Sequence, residues 1–121
     1  MQVQVNTSNG IENSESLETW AREYLQQALE RFSQDITRVE VQLADESKGR
    51  KGAADLRCMM EARLNGREPL AVTHHATTQD EAFRGAAQRL VHLLDHTFGK
   101  LDRHQHRDRE TIRKDASPID G

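Results

Sequence analysis

The most restrictive feature of this sequence is a change of hydrophobic period, from alternating to helical, back to alternating, and then to helical again. Apolar side chains recur at three- and four-residue spacing from Leu17 to Phe32 and from Ala82 to Leu101, which is typical of amphipathic helices. In the remaining segments apolar and polar residues alternate, as they do in strands with one buried face. The order β-α-β-β-β-α follows.

Four short segments carry the alternating pattern. The second and third strands bury Val39, Val41, Cys58 and Met60 on one face and leave charged residues on the other. Asn65-Gly66 predicts a two-residue hairpin turn before the last strand. The predicted strands cover residues 2–6, 36–43, 56–64 and 70–76.

Both helices have start signals. Asn13 or Ser14 can cap the first helix, which the apolar spacing extends to about Ser33. Thr78 and Glu81 match a capping box at the start of the second helix, whose pattern continues toward Arg107.

These elements predict a two-layer α+β domain with a four-stranded mixed sheet. A right-handed crossover makes strands 1 and 2 parallel, and strands 2 to 4 form an antiparallel meander. Both helices must pack on one face of the sheet, because neither has another partner for its apolar stripe. We expect the domain to span residues 1–106 and residues 107–121 to form a disordered tail.

Composition limits the alternatives to one small domain. Of the 121 residues, 24 are Leu, Ile, Val or Phe, which suffices for one thin core. No apolar run approaches the roughly 20 residues needed to cross a bilayer, and the single cysteine, Cys58, cannot form an internal disulfide. The N-terminus lacks the layout of a signal peptide. We expect a soluble, cytoplasmic protein without a membrane partner.

The net charge of −3 conceals an uneven distribution. Residues 1–46 contain three basic and nine acidic residues, whereas residues 82–114 contain eight basic and four acidic ones. A single basic surface on an otherwise acidic protein would produce this pattern, although uneven surface charge without a function would produce it as well.

The basic part of the chain contains a regular series of cations. Arg89, His92, His96, Lys100, Arg103 and Arg107, here called the cationic row, are separated by three or four residues. Such spacing places them along one side of a helix, where they can follow the phosphates of a nucleic acid. The loop residues Lys48, Arg50 and Lys51 add further cations. Asp95 and Asp102 lie near the row and can pair with it, so an ordinary solvated helix side is the competing interpretation.

No pattern for catalysis, metal binding or a cofactor is present. His92 and His96 are four residues apart, but no third ligand is implied, and solvent-facing histidines are the simpler interpretation. Cys58 lies on an inward strand face, where a thiol is poorly ionised. We therefore expect a protein that is not an enzyme and has no small-molecule substrate.

Several segments resemble the hibernation-promoting factor family, which includes the ribosome-associated inhibitor A proteins and is also called the ribosome-associated sigma-54 modulation family. The resemblance covers roughly residues 1–106. It is carried by the N-terminal strand Met1-Gln-Val-Gln-Val5, by Ile36-Thr-Arg-Val-Glu-Val-Gln-Leu43, and by Gln79-Asp-Glu-Ala-Phe-Arg84 with its continuation to His106.

The resemblance implies a bacterial-type stress-response protein that binds ribosomal RNA of the small subunit, in the channel that messenger and transfer RNAs occupy, and inhibits translation. Arg89, Lys100 and Arg103 match the family's RNA-contacting residues of the last helix, with His92, His96 and Arg107 extending them. Arg22 is the RNA-binding candidate on the first helix. The tail is too short for the C-terminal dimerisation domain of longer family members.

A second hypothesis starts from the acidic first helix. Its acidic residues would let it dock a basic protein partner without RNA; they are Glu15, Glu18, Glu23 and Glu30.

Overall fold

The computed structural model describes residues 1–8, 10–47 and 54–110, and the side chains of these residues up to residue 99. It contains four strands, two α-helices and one short 3₁₀ helix. In chain order these are β1 (Gln2–Ser8), α1 (Glu15–Ala28), the 3₁₀ helix (Glu30–Phe32), β2 (Ile36–Asp45), β3 (Leu56–Leu64), β4 (Leu70–Ala76) and α2 (Gln79–Glu110).

The strands form one mixed sheet in the order β1-β2-β3-β4. β1 is parallel to β2, with Val5 opposite Val41, and β2, β3 and β4 are antiparallel neighbours. Parallel pairing of β1 with β2 requires a crossover, and α1 provides it. The predicted two-layer α+β architecture is confirmed.

The core lies between one face of the sheet and the two helices. The inward register brings Val41 opposite Met60 and Leu43 opposite Cys58, and all four side chains are buried. α2 packs on β3 and β4, whereas α1 lies beside β1. The helices contribute Leu25, Leu29, Phe83, Leu90 and Leu94 to the same core. α2 thus has one apolar side fixed on the sheet and its other sides available.

α1 is shorter than predicted. Ser14 caps it, since its hydroxyl accepts a hydrogen bond from the Leu17 amide at 3.1 Å, but the α-helix ends at Ala28 instead of near Ser33. The 3₁₀ helix follows and carries Phe32 into the core, where it is 5% exposed. Apolar spacing did not reveal this change, because the tighter turn leaves Phe32 on the buried side.

The start of α2 has half of the predicted capping box. The Thr78 hydroxyl accepts from the Glu81 amide at 3.1 Å, but the Glu81 carboxylate accepts from the Thr77 hydroxyl at 3.3 Å instead of returning to Thr78. At its other end the helix reaches Glu110, past the expected domain boundary at residue 106. Residues 111–121 of the expected tail lie outside the described residues.

The connection from β3 to β4 spans residues 65–69, so the predicted two-residue hairpin is wrong. Gly66 has the positive φ of +68° that its turn position requires. Asn65 explains the longer turn, because it binds elsewhere: its amide N–H donates to Asp35 O at 2.9 Å and its side chain to Gln34 O at 3.0 Å. The turn is therefore tied to the segment before β2.

The sheet face away from the helices carries a network of charges. Arg38 lies 2.6 Å from a Glu40 carboxylate oxygen, and Arg63 lies 3.8 Å from Glu40 and 3.6 Å from Glu61. Glu40 and Glu61 are directly opposite in the register, so the two arginines offset the repulsion between them. No helix in the described part of the chain is long and apolar enough to cross a membrane.

Candidate nucleic-acid interface on the second helix

Two contacts define the orientation of α2. On the side that faces α1, the Arg84 guanidinium lies 5.5 Å from the Trp20 ring centroid and 5.1 Å from that of Tyr24. On the side that faces β4, the backbone at Gly85 lies so close to the His74 imidazole that a Cβ built there would be 2.1 Å from the ring. These contacts separate the α1 side of the helix from the β4 side.

The first three residues of the cationic row lie toward the β4 side and the solvent. Arg89 follows Gly85 by one helical turn, and His92 and His96 continue along the helix. All three side chains are exposed. The structure therefore leaves this part of the cationic row free to meet a ligand, and an RNA-binding role for these residues stays a prediction.

The other predicted cations are less fully described. Lys100, Arg103 and Arg107 lie within α2, so they continue the same helix, but their side chains are outside the described part of the chain. Lys48, Arg50 and Lys51 lie wholly outside the described residues.

The described ends of the loop that contains Lys48, Arg50 and Lys51 show where it leaves the sheet. The Ser47 hydroxyl accepts from the Asp55 amide at 2.9 Å, and Asp55 lies 2.8 Å from His75 Nδ1. Leu56 pairs with Ala76 at the end of β4 where α2 begins. The described residues on either side of this segment, Ser47 and Asp55, therefore lie at the N-terminal end of α2.

Asp95 forms its hydrogen bond with a residue outside the cationic row. Its carboxylate accepts a hydrogen bond from Arg31 Nη1 at 3.0 Å, from the 3₁₀ helix. This hydrogen bond lowers the pKa of Asp95, and the nearby charge of His92 adds a smaller effect in the same direction. The acid of this helix segment is thus paired with a cation from outside the cationic row.

Arg22 is separate from the cationic row. It is exposed on α1 and shares a shallow cleft with Gln2, Gln4 and Arg38, next to β1. Because β1 and β4 are opposite edges of the sheet, Arg22 lies toward one edge and Arg89 toward the other.

Sequence spacing missed two cations near the C-terminal half of α2. Arg31 lies beside Asp95, and the Arg67 guanidinium lies 4.9 Å from the centroid of the Phe98 ring. Both arginines reach α2 from distant parts of the chain, so no local motif could have identified them.

The Cys58 thiol and the possible metal ligands were the candidates for chemistry in the sequence. Cys58 is buried, and desolvation raises the pKa of its thiol to about 12, so it is protonated at neutral pH. Among the described residues no group of three His, Cys, Asp or Glu side chains could hold a metal ion.

The fold and this helix define a small two-layer domain of β-α-β-β-β-α order that presents a cationic helix side to solvent. The family model described as "Sigma 54 modulation protein / S30EA ribosomal protein" matches residues 4–108. The chain belongs to this family, and the resemblance noted in its sequence is confirmed.

Solved structures support the fold independently. The Protein Y N-terminal domain of Thermus thermophilus superposes with a TM-score of 0.65 at 15% identity, covering 80% of this chain and 99% of that one. A ribosomal subunit interface protein from Coxiella burnetii gives 0.62 at 14% identity, covering 82% and 99%. At these identities the likeness establishes the fold alone. A search of curated proteins finds no match.

Proposed function

We propose that this protein binds ribosomal RNA of the small ribosomal subunit, in the channel used by messenger and transfer RNAs, and inhibits translation by occupying it. The observation that carries the proposal is the exposed cationic side of α2, whose nearby acid, Asp95, is held by Arg31. Such a side attracts a phosphate backbone and needs no catalytic group.

Two findings support a ribosomal partner. The family description includes a ribosomal protein, and the similar protein of known structure from Coxiella burnetii is named a ribosomal subunit interface protein. A ribosomal partner places the protein in the cytoplasm. Residues 1–106 would form the binding domain, as the sequence predicts, and hibernation under stress is the physiological role that fits an inhibitor of this kind.

Sedimentation with separated ribosomal subunits tests the proposal. We expect the protein to pellet with small subunits at low salt, to be released as salt rises, and to be displaced when the channel is filled with messenger RNA and initiator tRNA. Failure to pellet with small subunits at low salt would reject the proposal, and binding that is indifferent to channel occupancy would reject the location.

The acidic docking surface on α1 remains the second candidate. Glu15 and Glu23 on α1 and Glu30 on the following 3₁₀ helix are exposed, and Glu18 is half-buried. If this surface is the functional one, protein partners captured from a cell extract should be retained after RNase treatment. Loss of all partners after RNase treatment supports the RNA-binding proposal instead.

A further inference from the structure

Four side chains from three separate segments form a column at the end of the molecule where α2 passes the β3–β4 turn. The Arg31 guanidinium carbon lies 4.7 Å from the Phe32 centroid, the Phe32 and Phe98 rings are stacked at 6.0 Å and 28°, and the Arg67 guanidinium carbon lies 4.9 Å from the Phe98 centroid. Each of the two stacked rings thus has an arginine over it.

The two ends of this column differ. Arg31 is engaged by the Asp95 carboxylate at 3.0 Å, which raises the pKa of its guanidinium. Arg67 is exposed, and within residues 1–8, 10–47 and 54–99 no carboxylate lies at ion-pair distance from it. Among the side chains that the structure describes, Arg67 therefore has no carboxylate partner, whereas Arg31 has one.

The contact with Phe98 also restricts Arg67. Phe98 is half-buried and is backed by Phe32, which is 5% exposed, so the ring beneath the guanidinium is supported by the core. A guanidinium is planar and stacks on aromatic faces, unlike a lysine ammonium. The Arg67 guanidinium lies over the Phe98 ring; a guanidinium stacked on a ring can receive a flat partner on its other face, and unpaired RNA bases stack on guanidinium planes in this manner.

The proposed function of α2 favours RNA as that partner over an acidic protein, because the helix that carries Phe98 also carries the exposed Arg89, His92 and His96. Residues two apart in a helix do not face each other, so the platform and these side chains would contact different parts of a bound strand. We propose that Arg67, held against Phe98, is a stacking platform for one unpaired RNA base. This inference rests on the proposed RNA-binding function. It adds to that function a contact with a base, in addition to the contacts with phosphates.

The test compares two RNA probes that carry equal charge. One is a ten-nucleotide oligo(A), and the other has the same backbone with abasic sites in place of the bases; binding is followed by fluorescence anisotropy. Because one stacked base contributes measurably to single-strand binding, we expect the protein to prefer oligo(A) by about fivefold or more.

Two variants isolate the platform. Arg67→Lys keeps the charge but removes the plane, and Phe98→Leu keeps an apolar side chain but removes the ring. In both variants the ratio of the affinity for oligo(A) to the affinity for the abasic probe should fall toward one. The affinity for the abasic probe itself should be unchanged. Arg63→Lys, an exposed arginine on the sheet face away from the helices, is the matched control and should retain the preference.

The possible results separate this inference from the proposed function. If the wild-type protein shows no preference, or if either variant retains it, the platform is rejected. If the wild-type protein still pellets with small subunits in that case, the proposed function stands. If it binds neither RNA probe nor small subunits, both proposals fail, and capture of an acidic protein through Arg67 would then explain the exposed cation.

Discussion

Arg31 Nη1 donates to the Asp95 carboxylate at 3.0 Å across 64 positions of sequence, and it thereby joins the 3₁₀ helix to the middle of α2. Both side chains are more than half exposed, at 61% and 51%. The pair has an electrostatic consequence as well as a structural one, because the hydrogen bond of the Asp95 carboxylate goes to a cation from outside the cationic row.

The pH dependence of this pair can be predicted from the direction of the Asp95 pKa. The hydrogen bond from Arg31 lowers this pKa below its ordinary value of 3.8, so the folded state favours the ionised carboxylate. The stabilisation is therefore complete above pH 3.8 and is lost as the pH falls through the lowered pKa.

We expect Asp95→Asn to be slightly less stable than the wild type at neutral pH, with a difference that shrinks below about pH 4 and with added salt. Urea unfolding at several pH values measures it. A difference that grows in acid would contradict the assigned pair.

The contact between Gly85 and His74 predicts a coupled pair of mutations. A Cβ at Gly85 would lie 2.1 Å from the His74 imidazole, so Gly85→Ala should destabilise the wild-type protein by displacing the ring from the helix. In a His74→Ala background the same change should stabilise by up to ~1 kcal/mol, because alanine is the better helix former. Denaturant unfolding of the four proteins gives the coupling. Equal effects of Gly85→Ala in both backgrounds would show that the ring does not rest on the helix there.

The cap of α2 offers a matched pair of threonines. Thr78→Ala removes the acceptor of the Glu81 amide and should lower the free energy of unfolding by about 1 kcal/mol. Thr77→Ala removes only an exposed side-chain hydrogen bond to Glu81 and should cost less. Thermal or urea unfolding compares them, and a larger loss for Thr77→Ala would reverse the assignment of the cap.

The burial of Cys58 predicts that its thiol is unreactive in the folded protein. Desolvation raises its pKa to about 12 from 9.0, so a thiol reagent at pH 8 should label the folded protein only as fast as it unfolds, and label it at once in urea. Stability should also fall as the pH rises above 9, where the unfolded thiol ionises and the folded one does not. Prompt labelling under native conditions would contradict the burial.

Cys58→Ser tests the same environment by substitution. A serine hydroxyl at this 0% exposed position would lie among apolar side chains, with His74 opposite it on β4 as the nearest polar residue in the register, so burial of the hydroxyl is expected to cost about 1–3 kcal/mol if His74 does not pair with it. Cys58→Ala, which adds no polar group, is the control and should cost less than Cys58→Ser.

The element order was predictable because each strand and helix shows its buried face in its own local spacing. Val39, Val41 and Cys58 alternate in sequence as they do in the sheet. The end of α1 was not predictable, since Phe32 keeps the helical spacing although it lies in a 3₁₀ helix. The position of the β3–β4 turn at Gly66 was predictable. Its length was not, because Asn65 forms hydrogen bonds with Gln34 and Asp35 from another part of the chain.

Some features of the candidate site were also predictable from the sequence, and others were not. The placement of Arg89, His92 and His96 along one side of α2 follows from helical periodicity, and their exposure agrees with it. The pairing of Asp95 with Arg31 and the column that ends in Arg67 depend on contacts between distant segments, which spacing within a helix cannot reveal.

The most direct test of the central claim compares the salt dependence of small-subunit binding in two triple variants. The first removes three cations of the cationic row by Arg89→Gln, Lys100→Gln and Arg103→Gln. The second removes three from the opposite sheet face by Arg38→Gln, Arg57→Gln and Arg63→Gln, with circular dichroism confirming that both are folded.

If α2 meets ribosomal RNA, the first variant binds more weakly, and the slope of log affinity against log salt falls in magnitude by about two to three, as expected for three lost phosphate contacts. The second variant then binds like the wild-type protein. Equal losses in both variants, or a slope unchanged by removing the cations of α2, would contradict the account.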